Sequence, residues 1–474
     1  MPRFTLPLVV VSLVLSAVLV RAADTTRLFL PLVANAPAPA NDLPVLTATF
    51  LGGAAADSPA AIDIAPDGTL VVAGSFPGYT PVGITPLVLD NGTTGAVIRL
   101  NSSGTAALSL TRIGAAINDM EIDGDGRIIV CGDFGVAALS IEADAILWRA
   151  NPGAGRRCAV GADGTVALIA NSSAYVYDAD GNALKTWSIG GSSQADIAVD
   201  GASKTVIASG YTQKDVGGQC AGTLQVAFVR GWNYSGQQKW QSYDWSAQQA
   251  QSANVCADTR GERVAIGRDG KLYLAATING GTGASIFARD PKAIDQKLDG
   301  LHNVTSDPYN NAYNTGSIKM TWFGRYNPID GSLLKGSSLL TRLSDGKGNS
   351  IAPFAISADT DGGVYLAGST ACCLPDRDKL TIGGVNVGTY EGGEGFIAVF
   401  SPDLKTRQRW TSLAGPAPAS AGGSPAVGIA VRNGNVAATL AFAPKSGANR
   451  NLITKNALQP TQAGDKDGYI VVWK

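Results

Sequence analysis

One short phrase recurs seven times along this chain, and a copied supersecondary unit constrains the fold more tightly than any compositional average. It first appears as Asp63-Ile64-Ala65-Pro66-Asp67-Gly68-Thr69-Leu70-Val71-Val72-Ala73-Gly74-Ser75: a short strand, an Asp-Gly turn, and an apolar strand ending in small residues. An Asp-Gly pair between apolar runs is a strong hairpin signal, because the turn needs a positive φ that glycine adopts without steric strain. Further copies centre on Asp125-Gly126, Asp163-Gly164, Asp269-Gly270 and the stretch from Asp359 to Gly363. A looser copy runs from Asp196 to Gly210, and the last uses Asn433-Gly434, which has the same turn chemistry.

A second phrase sits between the copies: an apolar strand, a polar turn, and a strand ending near glycine. Tyr175-Val176-Tyr177-Asp178-Ala179-Asp180-Gly181 leading to Trp187 and Gly190 is one example, and Phe396 to Asp403 leading to Trp410 and Gly415 is another. Two hairpin phrases per unit predict a four-stranded antiparallel sheet, and radial repetition of such sheets is a β-propeller. The chain stops at Asp467-Gly468-Tyr469-Ile470-Val471-Val472-Trp473-Lys474, only the first half of the second phrase, while Leu46 to Gly53 supplies the missing half. Pairing of these terminal strands in one blade would close the ring and remove two exposed sheet edges. The expected fold is therefore all-β, a seven-bladed propeller of four-stranded antiparallel blades closed by its N- and C-terminal strands. Six or eight blades follow if a degenerate copy is miscounted.

The pattern is similar to the SBBP-type repeat of secreted bacterial seven-bladed propellers. The residues carrying the resemblance are Phe50-Leu51-Gly52-Gly53, Ile64-Ala65-Pro66-Asp67-Gly68 and Val72-Ala73-Gly74-Ser75-Phe76-Pro77, and it extends over roughly residues 44–474. It implies a propeller and an extracellular location, and it carries no shared catalytic residues.

With 58 Gly, 23 Pro and 16% charged residues, the chain is turn-rich and short of solvated helix surface. A net charge of −1 and the lack of a basic stripe argue against nucleic acid as a partner. Arg3 followed by the apolar run Phe4 to Val20 and then Val20-Arg21-Ala22 has the layout of a secretory signal, so 1–22 is expected to be a signal peptide. Left uncleaved, the same run would be an anchor and the chain's one membrane contact. Residues 23–43, with Pro37 and Pro39, form an Ala/Pro-rich extended spacer before the propeller at 44–474. Secretion or surface display follows.

The chemistry-bearing residues are few. The one histidine, His302, lies in a polar insertion, which argues against Ser-His-Asp catalysis and multi-histidine zinc sites. In an exported chain, Cys220 and Cys256 are candidates for a disulfide. Cys131 and Cys158 either bridge or simply pack, and the adjacent Cys372 and Cys373 form a vicinal disulfide or stay as thiols. Adjacent cysteines also occur near the cofactor of quinoprotein dehydrogenases, but no regular tryptophan docking motif accompanies them. No metal or cofactor is expected: the acidic turns Asp123-Gly124-Asp125-Gly126 and Asp178-Ala179-Asp180-Gly181 lack the closing glutamate of an EF-hand loop and suit hairpins better.

Aligning the copies places Asp63, Glu121 and Asp196 at equivalent positions on the strand nearest the axis, where the other units have small residues such as Ala159, Ala355 and Gly428. Three carboxylates around one channel mouth are either hydrated or a site for a cationic group. A long insertion at about 281–330 holds the densest aromatic and amide set: Tyr309, Asn310, Asn311, Tyr313, Asn314, then Trp322 and Tyr326. Aromatic faces beside amides suit sugar rings, which stack while the amides satisfy hydroxyls. Within the insertion, Asp290-Pro291 is expected to cap a short helix over 292–298. The sequence thus points to a non-catalytic binding or surface-assembly module, with a glycan or an envelope protein as partner. The alternative is a carboxylate-based glycan-active enzyme or a quinoprotein-like dehydrogenase.

Overall fold

All seven copies of the first phrase fold as hairpins, and each hairpin supplies the first two strands of a sheet. In the computed structural model the residues described are 42–90, 92–217, 220, 222–300, 302, 318–374, 380–387, 394–413, 424–443 and 452–474. The expected signal peptide and nearly all of the spacer lie outside them. Asp42 and Leu43, assigned to the extended spacer, instead pair in parallel with Thr381 and Ile382.

Among the described residues seven sheets contain four strands in antiparallel succession. The innermost strands, in chain order, are Ser58–Ile64, Ile117–Ile122, Arg157–Val160, Ser193–Asp200, Asp258–Ile266, Ile351–Ala358 and Ala426–Arg432. The second phrase forms the outer strands, such as Ser173–Tyr177 with Ala183–Ser188 and Glu394–Phe400 with Arg407–Ser412. Each innermost strand packs on that of the next sheet, and the seventh packs on the first. The seventh sheet is completed from both chain ends, because Val45–Leu51 pairs antiparallel with Asp467–Trp473, from Val45↔Trp473 to Leu51↔Gly468.

The turn shows why the phrase is so regular. Ala65 N donates to Thr69 O at 2.8 Å, Gly68 N donates to Ala65 O at 2.9 Å, and Asp67 Oδ1 accepts from Thr69 N at 2.8 Å. Gly68 sits at φ 87°, in the left-handed region where a side chain is strained. The core lies between sheets: Val72, Ile98, Leu100 and Val472 are fully buried, and glycine and alanine let neighbouring sheets approach.

The insertion differs from the expectation in two ways. Lys319–Tyr326 is the third strand of the fifth sheet, so the inserted segment ends before Trp322 and Tyr326. Residues 290–298 are no helix. Arg289–Asp290 pairs with Ala293–Lys297, and Asp290 Oδ1 accepts from Lys292 N at 2.7 Å. An Asp-Pro pair serves a turn as well as an N-cap, and the tertiary contacts choose the turn here. The described helix, Ala247–Ser252, instead lies ahead of the fifth sheet, closed by a capping box between Ser246 and Gln249. No helix among the described residues is long and apolar enough to cross a membrane.

Candidate functional site

The innermost strands of all seven sheets line an axial cavity of about 450 Å³. An innermost strand is an edge strand, so one row of its N–H and C=O groups lacks a ladder partner. In this fold carboxylates of the preceding sheet fill part of that row. Asp63 Oδ2 accepts from Ile122 N at 2.9 Å, and Glu121 Oε2 from Val160 N at 2.8 Å. Asp119 Oδ2 accepts from Cys158 N at 3.2 Å, and Asp196 Oδ2 from Val264 N at 3.0 Å. The candidate carboxylates thus staple one sheet to another, which accounts for their presence without a bound cation.

Their alignment requires a correction. Asp63 pairs with Val71 and Glu121 with Ile129, but the equivalent residue of the fourth sheet is Ala198, paired with Ile207. Asp196, paired with Ser209, lies one layer away beside Asp119, and Ala355 and Gly428 belong to that same layer. The shared triplet Asp-Ile-Ala suggested the wrong register, and a slip of two residues leaves a side chain on the same face.

The corrected register exposes what the sequence reading missed. In four successive sheets the layer carries Asp119, Arg157, Asp196 and Arg263, acid alternating with base. Arg157 Nη1 lies 3.7 Å from Asp119, and its Nε lies 4.0 Å from Asp196. Arg263 Nε donates to Phe354 O at 2.6 Å, tying the belt to the sixth sheet. The available signal was position: Arg157 stands two residues before Ala159, as Arg263 does before Ala265.

Burial sets the charge of this cavity. It pushes the Glu121 carboxyl up to about 8, reinforced by the nearby Asp63 and Asp119. The same cause raises Asp63, with Arg268 opposing, and raises Asp119 against the pull of Arg157. Glu121 therefore holds its proton in the folded state at pH values where the unfolded chain has lost it. Its contribution to stability is full below the unfolded value of 4.5 and falls as pH rises towards 8. Glu121→Gln is expected to flatten that fall and to be more stable than the parent at pH 8, by on the order of 1–2 kcal/mol allowing for water in the cavity. Urea titrations at pH 5 and pH 8 measure the difference, and identical pH slopes for both proteins would contradict it.

The proposed aromatic and amide face does not assemble as expected. Tyr309, Asn310, Asn311, Tyr313 and Asn314 lie outside the described residues. Trp322 and Tyr326 are core residues, each 1% exposed. Trp322 stacks on Phe287 at 5.5 Å and 11°, its Nε1 donates to Tyr326 Oη at 3.3 Å, and Tyr326 Oη meets Tyr243 Oη at 2.8 Å. Neither ring presents a face to a sugar. Both lie on a strand buried on both faces, with Thr321 and Phe323 beside Trp322 also fully buried.

Cys220 and Cys256 are joined in a disulfide, with Cα atoms 5.2 Å apart, and Cys372 is joined to Cys373. Cys131 and Cys158 are buried free thiols in one apolar cluster. Cys220→Ser/Cys256→Ser is expected to lower stability by about 2–4 kcal/mol, because the bridge closes a loop 36 residues long. Thermal melts of the double variant test this, and an unchanged midpoint would contradict it.

His302 is half-exposed, with Nδ1 2.7 Å from Asp299 Oδ1. Both acidic turns hold themselves: Asp123 Oδ1 accepts from Asp125 N and Arg127 N, and Asp178 Oδ1 from Asp180 N and Asn182 N. Among the described residues no three His, Cys, Asp or Glu side chains are grouped to hold a metal ion.

An all-β chain of four-stranded antiparallel sheets around an axial cavity belongs to the propeller class of architectures. Comparison with known proteins agrees at that level. The structure is similar to that of U3-55K, a WD40 β-propeller, at a TM-score of 0.50 and 8% sequence identity, over 91% of this chain and 100% of that one. Such low identity speaks for fold alone. No protein-family model and no curated protein matches the sequence, so the resemblance to SBBP-type repeats rests on its phrases alone.

Proposed function

We propose that the chain is a closed seven-bladed propeller that acts, after export, as a non-catalytic binding or surface-assembly module. Two observations support closure: the cyclic packing of the seven innermost strands, and the completion of one sheet by both chain ends. The observation that carries the non-catalytic reading is the use of the axial carboxylates. Asp63, Glu121, Asp119 and Asp196 each accept a backbone N–H from the next sheet, so their position follows from holding the ring together. A glycosidase instead needs two carboxylates free to flank a bound sugar at roughly 5–10 Å. On such a scaffold recognition falls to the loops, with a glycan or an envelope protein as ligand.

The test is binding of the purified protein to a panel of polysaccharides and envelope fractions, with product analysis on the same samples. Saturable binding without turnover is the expected result. Turnover that disappears in Glu121→Gln while the fold is kept would overturn the reading in favour of a carboxylate enzyme. Ligand-independent, concentration-dependent assembly would place the function in self-association.

A further inference from the structure

One mouth of the axial cavity is formed by the hairpin turns; Arg268 lines it, and Arg432 stands just beyond its lining, next to the Val431 carbonyl that Arg268 reaches. Arg432 ends the innermost strand of the seventh sheet, and Arg268 follows that of the fifth. Arg268 reaches past the sixth sheet: its backbone N donates to Ala358 O at 3.0 Å, its Nε lies 3.5 Å from Val431 O, and its Nη2 lies 3.8 Å from Asp63 Oδ1. Arg432 is half-buried, and its Nε and Nη2 are buried without a hydrogen-bond partner. Because Arg268 Nε reaches the carbonyl of Val431, the residue before Arg432, the two positive charges act on each other and disfavour both being charged without an anion.

Two carboxylates act on Arg432, Asp63 and Asp67, and both are largely committed: Asp67 accepts from Thr69 N at 2.8 Å and from Thr69 Oγ1 at 2.9 Å. Asp63 Oδ1 accepts from Ile64 N at 2.7 Å and Oδ2 from Ile122 N at 2.9 Å, and burial raises its carboxyl. Neither carboxylate reaches the Arg432 fork, whose Nε and Nη2 are left without an acceptor. Buried guanidinium donors without acceptors are unfavourable, and two adjacent like charges add to that. An oxyanion seated between them would accept from both, and the planar fork of arginine matches carboxylate and sulfate geometry.

We propose that Arg268 and Arg432 form a binding site for a single oxyanion group, a carboxylate or a sulfate, at the mouth of the axial cavity. Arg432 supplies the buried fork, through the Nε and Nη2 that lack partners. Arg268, with a side chain 32% exposed, is the adjustable partner that swings to admit the anion. A cation is disfavoured here, since Asp63 and Asp67 are already engaged by backbone N–H and hydroxyl donors. The site does not depend on which macromolecule the protein recognises.

The experiment is thermal-shift and calorimetric titration of the full chain with sodium sulfate and with sodium acetate, each against sodium chloride at matched ionic strength. Saturable binding of either anion is expected, and their relative strength distinguishes the two group types. Arg432→Gln should weaken it at least about tenfold, as for loss of a charged hydrogen-bonding group. Arg268→Gln tests the same site from the other side should the first variant fold poorly. Arg149→Gln, at a separate ion pair with Asp90, should leave binding unchanged. Sulfate and acetate acting no differently from chloride would overturn the proposal, as would full binding in both site variants. Failure to bind any polysaccharide would refute the glycan reading above and leave this result untouched.

Discussion

Removing residues 467–474 is expected to leave a chain with no cooperative unfolding transition. The strand Asp467–Trp473 is hydrogen-bonded on both sides, to Val45–Leu51 and to Asn435–Phe442. Its residues Tyr469, Ile470, Val471, Val472 and Trp473 are all buried. Each such side chain contributes about 1.5–3 kcal/mol on burial, and together they rival the net stability of about 5–15 kcal/mol that a folded domain retains. The truncation also leaves Val45–Leu51 without its strand partner, held by its bonds to Lys455 and Gln459, and exposes the edge of Asn435–Phe442. Calorimetry and circular dichroism of the truncated chain measure the effect. A sharp melt close to that of the parent would show that the terminal pairing is dispensable and would remove the main support for a closed ring.

Trp322→Ala is expected to lower stability by about 3–5 kcal/mol, the usual cost of emptying a large buried aromatic site. The indole packs on Phe287 and donates to Tyr326, and a Cβ at Gly336 would collide with it, so its surroundings are shaped to it. The loss should appear as a lower denaturation midpoint by chemical unfolding, with Trp322→Phe less affected. A variant that kept full stability yet lost glycan binding would return Trp322 to the recognition surface.

These two residues illustrate how far the sequence reading extends. Trp322 and the terminal strand are both apolar strand residues, but only the second belongs to a phrase that recurs. Where the hairpin phrase repeats, strand boundaries, turn type and the partner strand are all legible, because short contiguous apolar runs either side of an Asp-Gly turn specify them locally. Where the repeat is interrupted, as between Asn279 and Lys319, the third strand of the fifth sheet is separated from its hairpin. Its aromatics then look like part of a loop.

The candidate site divides along the same line. The sequence shows that acidic residues recur on the strand nearest the axis, and it supports Cys220 with Cys256 as a disulfide pair. It does not show that Asp196 shares a layer with Asp119, because the triplet Asp-Ile-Ala recurs two residues out of register without changing the face. Nor does it show what the carboxylates do, since their acceptor roles depend on the distance between neighbouring sheets.

By itself, then, the sequence determined the repeated unit, the four-stranded sheet and the complementary chain ends, all of which depend on local periodicity and turn stereochemistry. Tertiary structure alone decided the alternation of Asp119, Arg157, Asp196 and Arg263 and the meeting of Arg268 with Arg432. Those groups lie in different sheets, up to 164 residues apart for the last pair by their numbering. Their distances follow from how closely the sheets pack, and no local pattern encodes that.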